Sequence, residues 1–565
     1  MNRHVCTRLA GAFATLGLLA ACGGNNDDTS LPQLGVASGG PIQSCANLPS
    51  QFAYANTTLA AASAVAAGTL KVAGKPVGAH CQVTGSMYPR VSAVDGQAYA
   101  IGFEMRLPDS WNGRFFYQAN GGTDGSVVAA TGPAGANATT NALNDGFAVI
   151  SSDAGHSSAQ NPGFGIDPQA RLDYGYQAVA KLTPMAKSLI QAAYGKAPDR
   201  SYIGGCSNGG RHTMVAAARY PDQYDGYLVG DPGFNLPKAA TANIAGGQAY
   251  NALATTPGDL STGFTTAERA LVSNAVLAKC DALDGATDGL VQDTKACQAA
   301  FNLATDVPTC AGARDGTCLS SAQKTTISNL FAGAKTSTGT TIYSSFPYDA
   351  GLATNGWAFW KFTVPLILDS GAVGIIFQVP PANLSTFNGP AFTLGANVDT
   401  LVANINATNA TYTESAMSFM TPPHPTDLGA LKNRGAKMVI YHGTSDPIFS
   451  SDDTTAFYDN LRAANGGDAS NFARFFRVPG MNHCSGGPST DQFDMLTPLV
   501  NWVEKGQAPD SVPASARGAS NPAGVNTDLP ASWSATRSRP LCPYPKVARY
   551  DGSGSLEAAA SFTCQ

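Results

Sequence analysis

"RSYIGGCSNGGRHTMVAAARYP", residues 200–221, reads as a short apolar strand, a tight glycine turn and a helix. "YDGYLVGDPG", residues 224–233, supplies the next strand. Strand, turn, helix and strand make a βαβ unit, so a mostly parallel sheet is expected. Upstream, "AYAIGFEMRLP" (98–108) alternates at period two, and "GRFFYQANGG" (113–122) is a strand running into a glycine turn. "GFAVISSDAG" (146–155) reads as a buried strand, and residues 170–195 carry apolar side chains at helical spacing. Downstream the pattern resumes at "AKMVIYHGTSDPIF" (436–449) and "ARFFRVPGMNHC" (473–484), followed by a helix in "MLTPLVNWVEKG" (495–506). The interval 234–426 has four cysteines, an acidic loop and aromatic patches, but no βα alternation. These features predict an α/β core formed by residues 45–233 and 427–565, with residues 234–426 as a large inserted lid domain.

The chain has 565 residues, enough to bury a large core and more than one ordinary domain needs. Charged residues make up 13% and the net charge is −5, so no basic face for nucleic acid is expected. The N-terminus, "MNRHVCTRLAGAFATLGLLAACGG", has Arg3 and Arg8 before an apolar run that ends in small residues. That pattern is a secretory signal rather than part of the fold. Leu19-Ala20-Ala21-Cys22 resembles a bacterial lipobox, which would make residues 1–21 the signal peptide and Cys22 the lipidated new N-terminus. Residues 22–44 would then be a polar tether. Ordinary cleavage after a small residue is the alternative and leaves Cys22 unmodified. Either route exports the protein: periplasmic, anchored at the outer membrane, or secreted. A membrane contact is expected only through that lipid, since no later stretch reaches ~18 apolar residues.

Export makes disulfides the expected use of cysteine. Setting aside Cys6 and Cys22 leaves an even ten of the twelve, and no CxxC pair suggests zinc. Pairing near neighbours would join Cys280 with Cys297, Cys310 with Cys318 and Cys542 with Cys564. Cys45 with Cys81 would make a fourth bridge, leaving Cys206 and Cys484.

Gly205-Cys206-Ser207-Asn208-Gly209 fits G-x-S-x-G between a strand and a helix. Such a turn strains the serine backbone and lifts its hydroxyl above the sheet, and flanking side chains would collide with neighbouring backbone. A serine nucleophile needs a base, and the base an orienting acid. Of seven histidines, His483 follows a late strand in a glycine-rich loop; His156, His424 and His442 stay open as alternatives. Asp446 sits in the turn after an apolar strand, giving the order Ser207, Asp446, His483 of an α/β-hydrolase. If Ser207 and His483 meet, Cys206 and Cys484 lie beside them and can be bridged. The oxyanion donors would be the backbone N–H groups of Asn208 and of Gly122 in the early glycine turn.

"GGCSNGGR" (204–211), "YPDQYDGYLVGDPGFNLPK" (220–238), "YHGTSDPIFS" (441–450) and the long stretch 478–510 resemble the tannase/feruloyl esterase family. "CPYPKVARYDGSG" (542–554) extends the likeness almost to the C-terminus. The resemblance implies an α/β-hydrolase core with an inserted lid, bridged cysteines beside serine and histidine, and a structural calcium loop. The matching calcium ligands are the carboxylates of Asp281, Asp284 and Asp288 with the carbonyls of Ala286 and Leu290, a hard oxygen shell. Cys280–Cys297 would brace that loop.

For the substrate, the resemblance implies an aromatic carboxylic ester, a ferulate, gallate or related phenolic ester. Family members acting on mono-(2-hydroxyethyl) terephthalate hold its free carboxylate with a lid arginine, but the matching stretch, residues 356–381, contains no arginine. That monoester is therefore the weaker candidate. Trp357, Trp360, Phe377 and Phe449 are the candidate pocket aromatics, and Lys361 is the one cation near them; the rings serve equally as lid core. A calcium-stabilised lipoprotein that binds aromatic ligands without turning them over is the alternative of another class. A monomer is expected.

Overall fold

A computed structural model describes residues 31–565, so the leader, Cys6 and Cys22 lie outside the described residues. Nine strands form the main sheet. In chain order they are β1 (Thr57–Val65), β2 (His80–Val91), β3 (Ala98–Pro108), β4 (Arg114–Gln118), β5 (Ala148–Ser152), β6 (Arg200–Cys206), β7 (Gly226–Gly230), β8 (Lys437–Gly443) and β9 (Ala473–Val478). Their spatial order is β1-β2-β3-β5-β4-β6-β7-β8-β9. Every pairing from β5 to β9 is parallel, whereas β1 with β2, β2 with β3 and β3 with β5 each pair antiparallel. The α/β class and the mostly parallel sheet are therefore as the sequence predicts, with an antiparallel wing of which the sequence shows only the alternation of β3. β1 is "TTLAAASAV", whose small residues give no strong alternation.

Successive strand residues face opposite sides of the sheet. Phe115 and Tyr117 join Ile203, Val229 and Ile440 on one face, under helix α1 (Ala178–Tyr194) and helix α2 (Asn208–Arg219). Phe116 joins Tyr202, Leu228 and Val439 on the other, against the Leu499, Trp502 and Val503 face of the helix Leu496–Lys505. Both faces are covered by helices, so the parallel strands are apolar throughout rather than alternating.

Between β7 and β8, residues 231–436 contribute no strand to the main sheet and are mostly helical. Their apolar residues form two further clusters. The first includes Tyr99, Phe164, Tyr174 and Phe449 from the sheet-bearing part, so the helical region is seated directly over the sheet's C-terminal edge. Ligands of open α/β sheets bind at that edge.

Among the described residues, five disulfides link Cys45–Cys81, Cys206–Cys484, Cys280–Cys297, Cys310–Cys318 and Cys542–Cys564. The second spans 278 residues and is the one bridge joining distant parts of the chain.

Candidate active site

Ser207 occupies the turn between β6 and α2 with φ +65° and ψ −127°, a conformation that a non-glycine residue holds only under strain. The neighbouring glycines make it possible. A Cβ on Gly205 would lie 2.2 Å from the Ala119 carbonyl oxygen, and one on Gly209 would lie 2.3 Å from the same atom. The turn therefore packs its backbone directly on the β4 end, leaving the serine side chain partly exposed.

The Cys206–Cys484 bond, with Cα atoms 6.1 Å apart, brings the loop after β9 to this turn. His483 Nδ1–H donates to Asp446 Oδ2 at 2.7 Å. Asp446 Oδ1 accepts the backbone N–H groups of Ile448 and Phe449 at 2.9 and 3.1 Å. Burial alone would raise the Asp446 pKa. The charge of His483 and hydrogen bonds from His442 and His483 reverse this and hold it well below the usual carboxylate range. No hydrogen bond joins Ser207 Oγ to a partner among the described residues; such contacts often tighten only when substrate is in place.

Behind the Asp446–His483 pair lie two groups whose placement escapes sequence reasoning. His442 Nε2 lies 3.2 Å from Asp446 Oδ2 and 3.0 Å from the Phe449 carbonyl, while Nδ1 meets Thr454 Oγ1 at 2.8 Å. His442 was open as an alternative base, but with no exposure and both ring nitrogens engaged it supports the acid instead. Burial disfavours its charge, yet the hydrogen bond to Asp446 and the charges of Asp231 and Asp446 raise its pKa. Asp231, at the end of β7, accepts the Gly443 N–H at 2.8 Å, and burial pushes its pKa to about 7. Nothing in the local sequence marks either residue, because their roles come from packing between separate strands.

Gly121 lies against the serine turn: a Cβ there would be 3.8 Å from Ser207 Cβ. Gly122, at φ +63°, faces open space, and neither its N–H nor that of Asn208 has an acceptor among the described residues. Both expected donors are thus unengaged beside the serine.

Trp360 and Phe449 present their rings edge-on to His483, with centroids 4.7 and 5.3 Å away. Trp357 is buried among the insert's aromatics, 5.7 Å from Phe362 and 6.2 Å from Phe264. Phe377 is a correction: it has no exposure and is packed with Phe164, Tyr174 and Ile376, so it belongs to the core between insert and sheet. Its helical spacing cannot distinguish a core-facing ring from a pocket-facing one. Lys361 lies 3.8 Å over the Phe346 ring, and burial pushes its pKa down to about 8.

The family model for tannase and feruloyl esterase matches residues 81–565. The chain belongs to the tannase and feruloyl esterase family. It is 41% identical over 525 residues to the mono(2-hydroxyethyl) terephthalate hydrolase of Piscinibacter sakaiensis, covering 86% of this chain and 84% of that one. It is 26% identical over 561 residues to feruloyl esterase B of Aspergillus niger, covering 95% and 98%. The crystal structure of feruloyl esterase B from Aspergillus oryzae superimposes with a TM-score of 0.73 at 24% identity, covering 92% of this chain and 99% of that one, which bears on the fold. Membership supports carboxylic ester hydrolysis as the activity.

The acidic loop runs from Asp281 to Leu290. Asp281 accepts the N–H groups of Asp288 and Gly289, Asp284 that of Ala286, and Asp288 that of Leu290. Asp284 Oδ2 is buried without a hydrogen-bond partner, and Asp288 Oδ2 is paired with Arg539. Burial, reinforced by the charges of Asp288 and Asp281, pushes the Asp284 pKa to about 7. Clustered buried carboxylates with an unmatched oxygen are the donor chemistry of a hard divalent cation.

Proposed function

We propose that the protein is an exported serine esterase that hydrolyses aromatic carboxylic esters through an acyl-enzyme on Ser207. The observation carrying this reading is the strained Ser207 turn, bridged by Cys206–Cys484 to a loop whose His483 is hydrogen-bonded to a buried Asp446. His483 Nε2 takes the Ser207 proton as Oγ attacks the ester carbonyl, and the Asn208 and Gly122 amides receive the oxyanion. His483 then protonates the leaving alcohol, and a water repeats the sequence to release the acid. Asp446, kept ionised, stabilises the imidazolium and fixes its tautomer.

The Trp360 and Phe449 rings beside His483 suit a planar aryl acyl group, so feruloyl, galloyl or related phenolic esters are the favoured substrates. The 41% identity to a terephthalate monoester hydrolase keeps that substrate as the second reading; the absence of arginine from residues 356–381 counts against it. Hydrolysis of methyl ferulate, methyl gallate, mono-(2-hydroxyethyl) terephthalate and p-nitrophenyl acetate separates these. The highest kcat/KM is expected on a phenolic ester; turnover of the acetate with none of the aromatic esters would overturn the assignment.

Residues 234–426 are proposed to act as the lid, and residues 1–21 as the signal that leaves Cys22 for lipidation. The acidic loop is proposed to hold a structural calcium ion through Asp281, Asp284, Asp288 and the carbonyls of Ala286 and Leu290. The ion would neutralise the clustered carboxylates and take no part in the reaction, and Asp288 would share its charge between ion and Arg539. A ligand bound only by the folded state stabilises it by mass action. EDTA should therefore lower Tm while activity per folded molecule changes little. Unchanged Tm, with no calcium found by elemental analysis before chelation, would remove the ion from the account.

A further inference from the structure

Asp124 belongs to the glycine turn that carries Gly122, and it too holds a positive φ, +54°. Its N–H donates to the Gly121 carbonyl at 3.2 Å, closing the turn. Its side chain points away from solvent toward the start of α2. Asp124 Oδ2 accepts from Asn208 Nδ2 at 2.9 Å and meets His212 Nε2 at 2.8 Å. The Asp124 and His212 side chains are 2% and 4% exposed.

The remaining contacts fix how this cluster is wired. Arg211 Nη2 lies 3.1 Å from both ring nitrogens of His212, Asn208 Nδ2 lies 3.3 Å from His212 Nε2, and Arg211 Nε donates to Asn208 Oδ1 at 2.5 Å. The same guanidinium donates to the carbonyls of Gly175 and Tyr174. Burial and the Arg211 charge hold the His212 pKa well below its usual value, so the ring is neutral. An ionised carboxylate can only accept, so on the neutral ring Nε2 carries the proton toward Asp124 and Nδ1 is left as the acceptor for Arg211. Asn208 is then held by both ends of its amide, its oxygen to Arg211 and its nitrogen to Asp124.

We propose that Asp124, oriented by His212, is a positioning residue that sets the distance between the two oxyanion donors. This rests on the reading of Gly122 and Asn208 as that hole. One donor lies in the turn Asp124 closes and the other on the residue its carboxylate grips, so the carboxylate is the direct tie between them. Neither donor is otherwise linked to the other by sequence: 86 positions separate them. The tie also answers why a non-glycine residue occupies a left-handed turn position, where glycine would cost less.

Asp124→Gly keeps the backbone conformation and removes the tie; Asp124→Asn keeps an acceptor and tolerates positive φ. Assays at pH 8 keep Asp124 ionised, above the value near 7 to which burial pushes it. Asp124→Gly should lower kcat by about 10- to 30-fold with KM within about twofold, since the hole acts on the transition state. Affinity for a boronic acid that mimics the tetrahedral intermediate should fall in proportion, and Asp124→Asn should recover most of both. Should Asp124→Gly not fold, Asn208→Ala, which keeps its backbone donor but loses the grip, gives the same split. Wild-type-like kcat in a folded variant, or a rise in KM with unchanged boronate affinity, overturns the proposal. Ser207→Ala in the same assay separates the two levels: if it stays active, the parent reading fails instead.

Discussion

Ser207→Ala is expected to lower kcat on an aromatic ester by at least ~10³-fold and to leave Tm nearly unchanged. The substitution removes only the nucleophile, while the oxyanion donors and the binding surface persist and give the residual rate. The fold should tolerate it because Ser207 Oγ has no partner among the described residues and the turn is set by Gly205 and Gly209 packing on Ala119. Asp446→Asn and His483→Ala should fall in the same range. Activity within tenfold of wild type in Ser207→Ala would remove this serine from the mechanism, and retained activity in Asp446→Asn would redirect attention to Asp452 and Asp453.

Replacing Cys206 and Cys484 together by alanine should lower activity by about 10²-fold, with a much smaller relative effect on stability. Chain entropy assigns a bridge of this span roughly 5 kcal/mol at most. The helices covering both sheet faces and four other disulfides still hold the domain. Register is the larger loss. Cys484, at φ +60°, directly follows the base, and a ~1 Å misplacement of a catalytic group can cost ~10²-fold. Replacing Cys542 and Cys564 should show the reverse balance, because that bridge ties the residue after the short strand Ser538–Leu541 to the C-terminal strand Phe562–Cys564 and touches neither the serine turn nor the histidine loop. Equal losses of activity in the two double variants, after normalising to folded protein, would contradict the registering role.

The parts legible in the sequence are those whose physics is local. The Ser207 turn announces itself because a strained strand-to-helix turn demands glycine at fixed offsets. Strands β4 to β9 are legible because buried parallel strands are continuous apolar runs. Four of the disulfides follow from an even cysteine count and proximity along the chain, and Cys206–Cys484 follows from the expected meeting of Ser207 and His483. What stays hidden depends on contacts between distant segments. The β1 strand is too rich in alanine and threonine to alternate, and its place in the sheet is set by pairing with β2. His442, Asp231 and the Asp124–His212 pair gain their meaning only where strand ends and turns converge. Phe377 shows the same limit in reverse: an aromatic at a plausible position proves to be core.

Covalent labelling tests the central claim most directly. Active enzyme treated with a fluorophosphonate, digested without reduction and mapped by mass spectrometry should carry one label, on Ser207, in a peptide still joined through Cys206 to Cys484. Full inactivation should coincide with one label per molecule. A label on another residue, or complete inactivation with Ser207 unmodified, would contradict the account.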